Sequence, residues 1–103
     1  MLLEITTLVV PAEQQSAFEQ AFQQVQACIA HSTGYMTHEL QRDVQDNGHY
    51  ALLIEWQGAP VTPDTAWQTP LQPYLAQPPR RHCYRLVAGR GVVPATPALH
   101  FPD

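Results

Sequence analysis

Five histidines and two cysteines are the residues of this 103-residue chain best suited to metal binding, redox chemistry or proton transfer. The cysteines, Cys28 and Cys83, form no Cys-x-x-Cys motif, so we expect both to be buried as small apolar side chains. The histidines at positions 31, 38, 49, 82 and 100 lack the spacing of zinc ligands. We therefore predict no metal site and no cofactor. A single histidine can still transfer a proton near neutral pH.

The composition excludes several classes of protein. The net charge is −4, and only 14% of the residues are charged, so a nucleic-acid partner is not expected. No apolar run approaches the ~18 residues that a membrane-spanning helix requires. The N-terminal residues also lack the basic start and long apolar stretch of a signal peptide. We expect a cytoplasmic protein that binds neither membranes nor nucleic acid.

The apolar periodicity predicts six elements in the order β-α-β-β-α-β. Strands are expected over Leu2–Val10, Tyr35–Asp43, His49–Trp56 and Arg81–Ala88, and helices over Ala12–His31 and Thr65–Gln77. Pro70 and Pro73 should break the second helix, and Asn47-Gly48 favours a hairpin turn. Strict alternation would place Tyr35 on the face opposite His38.

This order predicts an α+β, ferredoxin-like fold with an antiparallel sheet in residues 1–91. Right-handed crossovers place both helices on one face of that sheet. The first strand is apolar on both faces, with Leu2, Leu8 and Val10 opposite Leu3, Ile5 and Val9. An uncovered apolar face is unusual in a monomer, so we predict a homodimer with sheet-on-sheet packing. The Pro-rich tail, residues 92–103, is expected either to cross the partner subunit or to be mobile.

Four stretches resemble the antibiotic biosynthesis monooxygenase family. They are Leu2–Pro11, Gly34–Leu40, His49–Trp56 and Trp67–Tyr74. The resemblance implies a dimeric α+β barrel. It also implies oxygenation of a quinol-like or polycyclic aromatic molecule by molecular oxygen without metal or flavin, since some relatives oxygenate anthrones or quinols in this way.

The same resemblance suggests a set of site residues. His38 would be the catalytic base or hydrogen-bond donor, and Trp67 a second catalytic residue and aromatic wall. Phe22 and Tyr74 would complete the aromatic wall, and Thr6 would be a polar contact to the substrate. Each has a structural alternative: His38 as a hydrogen-bonded strand residue, and the aromatic residues as core.

Two other functions stay open at this point. Relatives often carry a histidine near the start of the second helix, and residues 58–66 contain none. A non-catalytic dimeric binding or structural protein is therefore the alternative. Haem degradation is a distant third possibility. Trp67 matches that branch of the family, but Thr6 stands in place of its asparagine and Gln77 near the position of its histidine.

Overall fold

A computed structural model describes residues 1–58 and 66–89. Its four strands are β1 (Leu2–Val9), β2 (Tyr35–Arg42), β3 (His49–Trp56) and β4 (Arg80–Arg85). They form one antiparallel sheet in the order β2-β3-β1-β4. The helical elements are a 3₁₀ turn at Ala12–Gln14, helix α1 (Gln15–Ala30) and a 3₁₀ helix at Ala66–Tyr74. The predicted α+β ferredoxin-like fold is confirmed. The predicted tail and most of the loop before the second helix lie outside the described residues.

The hydrophobic core lies between the sheet and the helices. Helix α1 buries one apolar stripe, which consists of Phe18, Phe22, Val25 and Ile29. The register pairs Leu8 with Tyr50 and Thr6 with Leu52, so the even-numbered residues of β1 and β3 point the same way. These residues are buried against the helices, whereas Leu3, Ile5 and Val9 lie on the other face.

The second helical element is a nine-residue 3₁₀ helix that contains Pro70 and Pro73. Proline has no N–H group to donate and crowds the preceding turn, so two prolines three residues apart prevent a regular α-helical ladder. Runs of 3₁₀ helix rarely exceed three or four residues. The segment is therefore not a regular α-helix, which confirms the irregularity predicted from the two prolines. Burial of Trp67 and Leu71 holds it against the core.

Two expectations about β4 and the cysteines are wrong. Strand β4 ends at Arg85 rather than Ala88, because Arg85 pairs with Leu2, the first residue of β1. Beyond Arg85, the described part of the chain offers β4 no further partner on β1. Both Cys28 and Cys83 are exposed. Cys28 sits at the margin of the apolar stripe of α1, where the side chain turns away from the core.

The β2–β3 hairpin is anchored to the end of β1. The Asp43 carboxylate accepts the backbone N–H groups of Gln45 and Asp46 at 2.8 and 3.2 Å. The Gly48 carbonyl accepts the N–H of Val10 at 2.7 Å. Gly48 has φ = +91°, a conformation that glycine adopts without steric cost. The hairpin turn predicted around Asn47-Gly48 is confirmed.

The face of the sheet opposite α1 is partly apolar. Leu3, Ile5 and Leu53 lie there, half-buried, and Tyr84, which pairs with Leu3, is 53% exposed. In the described part of the chain, no helix is long and apolar enough to cross a membrane.

Candidate functional site

A groove of about 430 Å³ runs between α1 and the neighbouring strand β2. Its lining residues are Glu19, Phe22, Gln23 and Gln26 from α1, Leu40 and Arg42 from β2, and Tyr50 from β3. The volume lies within the range of small-molecule sites, ~300–1,000 Å³. Alternate side chains of β2 point toward α1, and side chains spaced by about one turn of α1 point toward β2. The groove lies between these two sets of side chains.

His38 lies next to this groove and contacts two of its lining residues. Its Nε2 is 2.9 Å from Gln26 Oε1, and its ring meets the ring of Phe22 edge-on, with centroids 6.2 Å apart. Its Nδ1 is 2.5 Å from the hydroxyl of Tyr35. An amide oxygen can only accept, so Nε2 carries the proton and donates to Gln26. Nδ1 is then the acceptor, and the Tyr35 hydroxyl donates to it.

The His38 imidazole is held in its neutral form. Burial lowers the pKa of His38 below its ordinary value of 6.5, because desolvation disfavours the charged ring. At neutral pH the ring therefore keeps an unprotonated nitrogen. A histidine in this state can accept a proton from a bound molecule.

Tyr35 reaches His38 because β2 is irregular at its start. The pairing with β3 shifts between Tyr35 and Thr37, which is the mark of a β-bulge. The bulge brings the Tyr35 ring perpendicular to that of Trp56, with centroids 6.4 Å apart, and its hydroxyl to His38. The expectation that Tyr35 faces away from His38 is wrong, since the extra residue interrupts the alternation.

The other end of the groove is polar and carries both signs of charge. The Tyr50 hydroxyl donates to Glu19 Oε2 at 2.5 Å, and Arg42 Nη1 lies 3.5 Å from the same oxygen. Burial raises the pKa of Tyr50, and the Glu19 carboxylate raises it further, whereas Arg42 has the opposite effect. The phenol consequently stays protonated well above neutral pH.

The structure brings two of the five predicted site residues together. Phe22 lines the groove, and His38 contacts it from beside the groove. Trp67 is 3% exposed within the core, and Tyr74 packs partly buried against the same core. Thr6 is fully buried and donates to Glu4 Oε2 at 3.2 Å. These three residues do not line the groove between α1 and β2.

A buried carboxylate escaped the sequence analysis. Glu4 is 3% exposed, and its Oε1 accepts the indole N–H of Trp56 at 3.0 Å. Arg81 Nε lies 3.0 Å from Glu4 Oε2, which is within salt-bridge distance. Its N–H is not aligned for a hydrogen bond, so the contact is an ion pair without a hydrogen bond. The sequence carries one sign of this buried carboxylate, which is an acidic residue at a helix-facing position of a mainly apolar strand. These contacts explain how the charge is accommodated.

No cluster of three or more potential metal ligands occurs among residues 1–58 and 66–89.

Sequence comparison relates most of the sheet to known proteins. The family model for antibiotic biosynthesis monooxygenases matches residues 1–61. The uncharacterized protein YczJ of Bacillus subtilis is 33% identical over 57 residues, which are 55% of this chain. That match spans 60% of the length of YczJ.

Structural comparison covers a larger share of the chain than the family model does. A candidate antibiotic biosynthesis monooxygenase from Bordetella bronchiseptica superposes with a TM-score of 0.73 at 20% identity, over 84% of this chain and 97% of that one. A similarly described protein from Deinococcus radiodurans gives 0.71 at 15% identity, over 91% and 100%. At these identities the similarity shows a shared fold.

Proposed function

The chain belongs to the antibiotic biosynthesis monooxygenase family, and from this premise we propose that it is a cofactor-independent monooxygenase. Its substrate would be a quinol-like or polycyclic aromatic small molecule, oxidised by molecular oxygen. The observation that carries the proposal is that His38, whose Nδ1 accepts the Tyr35 hydroxyl, packs against Phe22 and Gln26, two residues that line the groove. In this proposal His38 is the base and Phe22 packs against the substrate ring.

Proton removal would follow the hydrogen bonds around His38. A substrate that extends past Gln26 to the Tyr35 hydroxyl, which lies outside the groove lining, would give the proton of a hydroxyl or activated C–H group to the Tyr35 oxygen while the Tyr35 proton moves to Nδ1. The imidazolium that results keeps its Nε2–H bonded to Gln26 Oε1, which stabilises the positive charge. The deprotonated substrate is electron-rich enough to react with oxygen.

The substrate itself would supply the electrons. For an activated methylene group the balance is R₂CH₂ + O₂ → R₂C=O + H₂O. The carbanion adds to oxygen to give a hydroperoxide. Loss of the second C–H proton to a base then forms the carbonyl and breaks the O–O bond, and the released hydroxide is protonated to water. The protein has to bind the ring, remove protons and shield the anion.

Oxygen uptake tests this proposal. The wild type should consume oxygen with anthrones or naphthohydroquinones, and His38→Gln should lower the rate by about 10²–10⁴-fold. His82→Gln, a change at an exposed histidine on β4, is the matched control and should retain the rate. An unchanged rate in His38→Gln would show that His38 is not the base.

The packing of Trp67 in the core and of Tyr74 against it favours a second candidate function. Trp67 was expected to act in catalysis, yet it is buried in the core, and the chain lacks the histidine common near the second helix of relatives. A dimeric binding protein that uses the groove without turnover is the alternative. Tight binding of an aromatic ligand with no oxygen uptake by any substrate would favour it.

We also propose that two copies of the chain pack through the sheet face that carries Leu3, Ile5 and Leu53. Support comes from the apolar character of that face and from the position of α1 on the other one. Together the two sheets would close a dimeric α+β barrel.

A further inference from the structure

Three groups at the far end of the groove have no part in the proposed chemistry. Arg42, Glu19 and Tyr50 line the same groove as Phe22 and Gln26. Arg42 lies four residues along β2 from His38, and Glu19 lies seven residues before Gln26 on α1. The groove therefore has one polar end at Gln26, beside His38, and a second at Arg42 and Glu19.

The second polar end can still bind a ligand. The side chains of Arg42 and Glu19 are 55% and 47% exposed, so neither is enclosed by the fold. A guanidinium has five N–H donors, more than its contacts with Glu19 Oε2 and with the Tyr50 hydroxyl can use. The Glu19 carboxylate offers several lone pairs, of which the Tyr50 hydroxyl occupies one.

The charges at this end favour a particular chemical group. The charges of Arg42 and Glu19 cancel, and the hydrogen-bond donors of Arg42 lie beside the acceptor oxygens of Glu19. A hydroxyl group can accept from Arg42 and donate to Glu19 at the same time. A carboxylate would gain Arg42 but face the like charge of Glu19. An apolar substituent would displace water from Arg42 and Glu19 without replacing the hydrogen bonds that this water makes.

The length of the groove limits the ligand. Four residues of strand from His38 to Arg42 span ~13 Å. Two fused aromatic rings with a hydroxyl at either end, together with a hydrogen bond from each, fill about that distance. Between the two ends the walls include the apolar side chains of Phe22 and Leu40.

We propose that Arg42 and Glu19 form a specificity subsite for a neutral hydroxyl group at the end of the ligand remote from His38. This deepens the proposed function and takes its groove as the site. The substrate class becomes two-ring aromatic molecules with hydroxyl groups at opposite ends. Arg42 and Glu19 select and orient the molecule, and the reaction takes place at the other end.

Three probe ligands test the subsite by titration calorimetry with the full-length protein. Naphthalene-2,6-diol should bind about tenfold more tightly than 2-naphthol, since one charge-assisted hydrogen bond is worth that much. It should also bind more tightly than 6-hydroxy-2-naphthoate, which carries a carboxylate at the remote end.

Single substitutions should change these preferences in opposite ways. Arg42→Gln should abolish the advantage of the diol over 2-naphthol and leave 2-naphthol binding unchanged. Glu19→Gln leaves Arg42 unopposed and should make 6-hydroxy-2-naphthoate the tightest of the three ligands. Arg85→Gln, at an exposed arginine outside the groove, is the control and should preserve the wild-type order.

The outcomes separate the subsite from the proposed reaction. Equal affinity for diol and 2-naphthol, tighter wild-type binding of the carboxylate, or no binding of any probe would overturn the subsite. Oxygen uptake measured on the same samples is independent. The predicted ligand order without uptake by any substrate would refute the oxygenase alone, whereas uptake without that order would refute the subsite alone.

Discussion

His38 donates its Nε2 proton to the side-chain oxygen of Gln26 across 2.9 Å, and this contact fixes the tautomer of the imidazole. The amide of Gln26 is itself oriented, because its nitrogen donates to Gln23 Oε1 at 2.7 Å. The ring is therefore held by the helix on one side and by Tyr35 on the other. Gln26 is a positioning residue, and its effect can be measured without any substrate.

Replacing the Gln26 amide with a carboxylate should raise the pKa of His38. In Gln26→Glu a negative charge faces Nε2–H, which favours the imidazolium, and a rise of about one unit or more is expected. NMR titration of the His38 ring measures the change. Gln24→Glu places the same charge on an exposed position of α1 and is the control. Equal pKa values in the two variants would contradict the contact.

Stability should fall in mild acid because of His38. Burial lowers the pKa of His38 in the folded protein below 6.5, so between the two pKa values the unfolded chain binds more protons than the folded one. The free energy of unfolding then rises with pH across that window and declines as the pH drops below 6.5. Urea unfolding at a series of pH values gives the slope. His38→Gln should reduce it, and a slope identical to that of wild type would exclude His38 as its source.

Gly48→Ala should destabilise the hairpin far more than Gly58→Ala. Both glycines have positive φ, +91° and +82°, which costs an alanine about 1 kcal/mol or slightly more. A Cβ at Gly48 would lie 2.5 Å from the carbonyl oxygen of Val10, whereas no atom of residues 1–58 and 66–89 is recorded within 4 Å of one at Gly58. The extra loss for Gly48→Ala should be about 2 kcal/mol, since backbone must move. Urea unfolding of both variants measures the difference, and equal losses would show that β1 and the hairpin are not in close contact.

A charge on the uncovered sheet face should separate the proposed dimer. Light scattering after size exclusion should give twice the chain mass of 11.5 kDa for the wild type. Leu53→Glu should reduce it to one chain, because a carboxylate buried between two sheets lacks a partner. Val44→Glu, at a loop residue that is 97% exposed, should leave the dimer intact. A wild-type protein of single-chain mass would refute the dimer directly.

The fold was predictable from the sequence because its signals are periodic and local. The α1 stripe from Phe18 to Ile29 and the apolar alternation of β3 each specify an element and a buried face. Pro70 and Pro73 also act locally, so the break in the second helical segment could be foreseen.

The site was predictable only in part. The sequence proposed His38 and Phe22, whose rings meet in the structure, but Gln26 is twelve positions from His38, and nothing in a glutamine-rich helix distinguishes it from its neighbours. The bulge that turns Tyr35 toward His38 directly follows Gly34, but a glycine there is equally expected as the stop of α1, so it did not reveal the bulge. The environment of Trp67 depends on how the 3₁₀ helix packs, which one sequence does not specify.

The two outer strands of the sheet bear on how the protein resists aggregation. Strand β4 carries three arginines, Arg80, Arg81 and Arg85, within six residues, and β2 is bulged at its start. Clustered charge and irregular pairing both discourage the addition of a foreign strand to an exposed backbone edge. Growth of the sheet into a fibril is therefore opposed at both sides, and the charges and the bulge that oppose it lie away from the apolar face proposed to meet a second sheet.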